Sequence, residues 1–172
     1  IKLKGYDYDK KFVFQDIGYN FEPSEISASF GLEQLKKFRK FSSLRNKYFF
    51  MHLNFFKKFK KFFITPKLLK NVSTNFLAYP IIIRENKYFN RKKLQIYLEK
   101  NLVQTRPIFS GNILRHPGFS YLISKKNKLN SLKNADYIMK NGILIGCHQG
   151  LKINNIKTIH SLILKFIDKF NG

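Results

Sequence analysis

The sequence predicts an α/β domain: a long helical region, then a small sheet with its covering helices. Three observations carry this. Phe49, Leu53, Phe56 and Phe63 approximate one apolar stripe at helical spacing, with lysines between them. Three β-rich runs, 76–83, 103–108 and 143–147, alternate with helical patterns, as in α/β chains. Finally, Ile156, Ile159, Ile163, Phe166, Ile167 and Phe170 recur at i, i+3, i+4, i+7 spacing, the clearest amphipathic signal in the chain.

The elements follow in order. Phe12 and Phe14 alternate with polar neighbours and suit a short strand, which Gly18 ends. Ser24 is a good N-cap after Pro23, and Glu25 complements the positive end of the helix dipole. The helix runs from there to about Phe63, with a break expected near 41–43, and Thr65–Pro66 closes it because a residue before proline resists helical geometry. Phe76–Ile83 reads as a buried strand. Pro80 inside it predicts a sheet edge or a bulge. Asn90 caps a helix over 91–100 with Leu94, Tyr97 and Leu98 on one face. A second strand covers 103–108, and 110–133 reads as a long irregular connection. Asn134 caps a short helix ended by Gly142, 143–147 is the third strand, and Asn154 or Asn155 caps the last helix.

Composition narrows the function. The chain of 172 residues carries 33 Lys+Arg against 10 Asp+Glu, a formal charge of +23. A basic nucleic-acid-binding module is one reading of that balance. The other is a compositional bias toward Lys, Asn, Ile, Phe and Tyr with solvated surface lysines. The second is preferred, because arginine, the usual reader of base edges and phosphates, is scarce. No apolar run is long enough to span a bilayer, and the Phe/Lys run near 55–63 reads as a core stripe with snorkelling lysines, so no membrane partner is expected. Cys147 is the only cysteine, which excludes an internal disulfide and suits a reducing cytoplasm.

Nucleotide P-loops, GxGxxG, GxSxG and HExxH are all absent, and no metal site is expected. His52 and His160 fall within helices and read as surface or boundary histidines, and Cys147 reads as a small buried strand residue. Two segments look unlike scaffold. In 105–112 a strand delivers Arg106 and then Asn112 into a loop with Gly111. In 146–150 a strand ends in His148 between Gly146 and Gly150. Polar groups at strand ends beside glycine suit ligand contact.

Gly18-Tyr19-Asn20-Phe21, Ser24-Glu25 and Ala28 through Leu35, with Gly31-Leu32 and Gln34-Leu35, resemble a conserved block of the sugar-nucleotide aminotransferase and dehydratase family. Further matches follow in order: Arg45 and Tyr48, Ile64-Thr65-Pro66, Phe76 through Ile83, Thr105-Arg106-Pro107, Gly111-Asn112, His116-Pro117, Asn134-Ala135-Asp136, and Ile145-Gly146 through Gly150-Leu151. The resemblance implies the C-terminal part of an aspartate-aminotransferase-like fold, fold type I of the pyridoxal phosphate enzymes. On that basis 1–22 would end the large cofactor domain, 23–66 would be a long connecting helical region, and 67–172 a small C-terminal α/β domain. The Gly-Asn and His-Pro pairs resemble the branch that removes the 3-hydroxyl of NDP-4-keto-6-deoxyhexoses in lipopolysaccharide O-antigen sugar synthesis; a transaminase of the same family is the alternative.

The resemblance also implies site residues. Asn20 matches the asparagine that reaches the phosphate of pyridoxal or pyridoxamine phosphate across a homodimer. Arg106, Asn112, His116 and His148 are the expected contacts to a nucleotide-sugar substrate. Glu22 stands where the family often has arginine, and Asp16 where close dehydratases often have histidine, so nothing is carried over at those two positions. The family's Schiff-base lysine, or the histidine replacing it, its pyridinium-pairing aspartate and any iron–sulfur cysteines precede the matched block. No catalytic residue is therefore expected within this chain, which is expected to be inactive alone.

Overall fold

The computed structural model describes Tyr19, residues 21–122 and residues 132–170. Asn20, the strand expected around Phe12 and the polar tract at 125–130 lie outside the described residues. The chain forms two compact units, 1–38 and 39–172.

Helix α1 runs Glu25–Phe56 without the break expected near 41–43. Ser24 opens it, its carbonyl accepting from Ala28 N–H at 3.0 Å. Within the first unit the side chains of Ile26, Phe30, Leu32 and Leu35 are exposed. In the second unit the predicted stripe is realised: Phe49, Leu53 and Phe56 are buried, joined by Tyr48 and His52. The helix stops earlier than expected, passing into one 3₁₀ turn, Lys57–Phe59. Phe63 then begins a two-residue strand, β1 (Phe63–Ile64), rather than the helix end.

The other strands are β2 (Ala78–Ile83), β3 (Thr105–Pro107) and β4 (Gly142–Gly146). They form one antiparallel sheet of order β1-β2-β4-β3. Alternation along β2 and β4 sends Tyr79, Ile81, Ile83, Ile143 and Ile145 into the core. There they meet α1, α2 (Arg91–Lys100) and α4 (Ile153–Asp168), through residues such as Leu94, Leu98, Ile156, Ile163 and Ile167. Ala78, Pro80, Ile82 and Leu144, which alternate with these, are only half-buried.

Pro80 sits in a strand paired on both sides, where an edge or bulge was expected. The pairing with β4 is regular, Pro80 opposite Leu144. Arg84 N–H donates to Phe62 O at 2.7 Å, so by the period of 2 the ring nitrogen of Pro80 also faces the β1 side. β1 pairs only Ile82 and Ile83, and has run out by Pro80. The strand is therefore an edge locally, where a missing N–H costs no ladder bond.

Helix α2 matches expectation, with Asn90 Oδ1 accepting from Lys93 N–H at 3.0 Å. It ends in a Schellman arrangement: Leu102 N–H donates to Glu99 O and Val103 N–H to Leu98 O. Leu102 thereby takes the left-handed position that glycine usually fills, at φ 62°. Helix α3 (Lys133–Asn141) begins just before the expected Asn134 cap. In α4, Asn155 lies inside the first turn, its side chain accepting from Lys152 N–H at 2.8 Å.

Candidate functional site

The structure sorts the four substrate-side candidates into two pairs, Arg106 with His148, and Asn112 with His116. Arg106 and His148 line one groove of about 550 Å³, with Leu102, Val103, Leu144 and Thr158 among its walls. Arg106 comes from β3, opposite Leu144 of β4, and His148 from the turn after β4. The start of β3 is fixed by Glu99, whose carboxylate accepts from the Thr105 hydroxyl at 2.7 Å and its N–H at 3.3 Å. Those bonds, with nearby Arg106, hold the Glu99 carboxyl below the usual range. His148 is exposed, and its Nδ1 accepts from Gly150 N–H at 3.2 Å, leaving Nε2–H for a ligand.

Asn112 and His116 belong to the connection after β3. Asn112 is buried; its amide donates to Asp136 Oδ1 at 2.7 Å and its oxygen accepts from Leu114 N–H at 3.2 Å. Arg115 grips the same carboxylate in bidentate fashion, at 2.9 and 2.6 Å. Arg115 and then Asn112 hold the Asp136 carboxyl down to about 2. His116 Nε2–H donates to Ser110 O at 2.7 Å. Gly111, at φ +63°, packs against Met139 where a Cβ would lie 2.5 Å from its Cβ. These contacts fasten the connection to α3. Asp136 is an anchor that the sequence reading left unassigned; the signal was an Asn and an Arg near one of few carboxylates.

Of the two helical histidines, His160 lies half-buried at a boundary as expected and His52 departs from expectation. His52 is fully buried, not at a surface or boundary. Its Nε2–H donates to Gly146 O at 3.1 Å, and its Nδ1 accepts from His160 Nε2–H at 3.0 Å, the tautomers being those the carbonyl imposes. Burial pushes both imidazoles down to about 4, with His52 and Lys58 adding to the effect on His160. Cys147 is buried as expected, and burial pushes its thiol up to about 11.

The match to the DegT/DnrJ/EryC1/StrS aminotransferase family spans residues 1–164. The chain belongs to this family. It is 32% identical over 146 residues to GDP-4-keto-6-deoxy-D-mannose 3-dehydratase of Escherichia coli O55:H7, covering 83% of this chain and 36% of the relative. It is 27% identical over 159 residues to lipopolysaccharide biosynthesis protein RfbH of Salmonella typhimurium, covering 92% and 36%. The chain thus spans about a third of the length of these relatives. The solved E. coli GDP-4-keto-6-deoxy-D-mannose-3-dehydratase with bound hydrated PLP superposes with a TM-score of 0.74 at 28% identity, over 90% of this chain and 39% of that one. The α1-plus-sheet arrangement is accordingly the C-terminal part of a fold type I architecture.

The groove does not fit the cofactor's ring. No lysine lines it to bind an aldehyde covalently, and no carboxylate to pair with a pyridinium. One guanidinium, one imidazole and apolar walls suit an anionic sugar derivative instead. Among the described residues no group of three or more His, Cys, Asp or Glu gathers to hold a metal ion. No helix among the described residues is long and apolar enough to cross a membrane.

Proposed function

We propose that this chain forms the substrate-side part of a pyridoxal or pyridoxamine phosphate enzyme that removes the 3-hydroxyl of an NDP-4-keto-6-deoxyhexose. The observation that carries the reading is the 32% identity to a 3-dehydratase over most of this chain, supported by a groove holding Arg106 and His148. Arg106 would pair with the diphosphate, for which a planar fork of donors is suited. His148 would offer Nε2–H to a sugar or phosphate oxygen. Asn112 and His116 are not among the residues lining the groove and fasten the connection after β3 instead, and Asn20 would reach the cofactor phosphate of a partner subunit in a homodimer. The cofactor, when bound, supplies the electron sink that lets the 3-hydroxyl leave. The reacting lysine or histidine would lie outside this chain.

The family's description as aminotransferases supports a second reading, amine transfer to the same ketone. Mass spectrometry of the product separates the two. The polypeptide bearing this chain is incubated with GDP-4-keto-6-deoxymannose, pyridoxal phosphate and glutamate. A product lacking the 3-hydroxyl oxygen supports dehydration, and a 4-amino product supports transfer. Arg106→Ala should raise KM about tenfold or more by removing a charge-assisted contact. An unchanged KM removes Arg106 from the site.

A further inference from the structure

We infer that Arg45, Tyr48 and His52 are positioning residues that set the turn carrying His148, an inference that rests on the substrate role proposed for that histidine. The three lie at i, i+3 and i+7 on α1, so they share one helix face. Each grips the same short segment. Arg45 Nε–H donates to Gln149 Oε1 at 2.7 Å, Tyr48 O–H to Leu151 O at 2.9 Å, and His52 Nε2–H to Gly146 O at 3.1 Å. Their partners bracket His148 on both sides. Two of the three bonds go to backbone carbonyls, which fixes the path of the chain and not merely a side chain.

The segment is also closed from within. Leu151 N–H donates to His148 O at 3.1 Å, and Gly150 N–H to His148 Nδ1 at 3.2 Å. The second bond orients the imidazole and selects its tautomer, so any slack in the turn reaches Nε2 directly. A side chain at Gly150 would crowd the His148 ring, at 3.1 Å from Nδ1. His160 completes the ladder by donating to His52 Nδ1, which leaves His52 with its N–H aimed at Gly146. A helix face that is buried at Tyr48 and His52 and half-buried at Arg45 thus holds the loop on the groove, an arrangement suited to presenting a reactive or binding group.

Tyr48→Phe deletes one rung with little change of shape, and Gln149→Ala deletes another together with the side chain that carries it. Hydrogen exchange at the Gly150 and Leu151 amides, read by NMR on the chain, should quicken by about 2- to 12-fold in either variant, the range of one net hydrogen bond. Amides of α2 should be unaffected, and Gln149→Glu, which keeps an acceptor for Arg45, should restore protection. The nitrogen shifts of His148 should move toward those of a free imidazole. Binding of GDP, measured by titration calorimetry, should weaken alongside, while Tyr88→Phe, remote from the turn, leaves it unchanged. Unchanged exchange and unchanged His148 shifts overturn the ladder. A loosened turn with unchanged GDP affinity overturns its positioning role. If the unmodified chain does not bind GDP, the substrate reading of the groove fails, and exchange with the His148 shifts still decides the ladder.

Discussion

Acid should loosen the second unit through the His52–His160 pair. Both imidazoles fall from 6.5 to about 4 on folding, chiefly by burial. Between those values the unfolded chain takes up protons at both positions and the folded chain does not. Stability is therefore full above pH 6.5 and declines as pH falls toward 4. At about 1.4 kcal/mol per pH unit, His52 contributes about 3 kcal/mol of lost stability. His160 is half-buried, so solvent screening makes its share smaller. A total of about 3–5 kcal/mol would be a large part of a typical domain stability of about 5–15 kcal/mol. Asp136 titrates below this window, its carboxyl being held down to about 2 by Arg115 and Asn112. Urea unfolding followed by circular dichroism, at fixed ionic strength from pH 7.5 to 4.5, measures the loss. His160→Ala should flatten the profile by removing one titrating group. A free energy of unfolding that stays level between pH 6.5 and 4.5 would falsify the buried neutral pair.

Two substitutions probe left-handed backbone. Leu102 adopts φ 62° and is 96% exposed, so its side chain gains nothing for the strain; Leu102→Gly should raise stability by about 1 kcal/mol in urea titration. Gly111 has the same backbone sign but no room: Gly111→Ala would set a Cβ 2.5 Å from Met139 Cβ and 3.0 Å from its Cα. It should cost about 3 kcal/mol, from strain and overpacking together, seen as a lower Tm.

Much of the framework is legible because its signals are local. Asn90 caps α2 through a residue three positions on, and the stripe from Ile156 to Ile167 needs only one helix to show itself. What escapes is written in distant pairs. β1 is two residues long and exists because Phe63 and Ile64 meet Ile83 and Ile82. Nothing near Pro80 tells that β1 ends beside it. His52 resembles any helical histidine until His160 arrives, 108 positions later. The site follows the same rule: Arg106 and His148 were each marked by a strand end beside a flexible turn, but their common groove depends on β3 pairing with β4. Asn112 drew notice as a polar loop residue; the bond that employs it goes to Asp136, 24 residues away.

The charge of +23 separates the two remaining classes of ligand by how binding responds to salt. Three ion pairs occur among the described residues, Lys36–Glu33, Arg115–Asp136 and Lys140–Glu85, all at least partly exposed, so most of the basic excess is solvated. Such a field attracts any anion, yet at ordinary salt it is screened beyond about 10 Å, and mainly direct contacts persist. The groove offers Arg106 and His148, and no lysine lines it. A nucleoside diphosphate held there carries no condensed counterion atmosphere to release, so its affinity should fall only shallowly with salt. A duplex lying across lysine-rich surface would neutralise many phosphates and give a slope several times steeper. Measuring GDP and a short DNA duplex side by side from about 50 to 300 mM salt, which brackets the range where that term dominates, therefore tests the assignment directly. Tight DNA binding with a steep slope, beside no GDP binding, would mean that the lysines rather than Arg106 and His148 are the working surface of this chain.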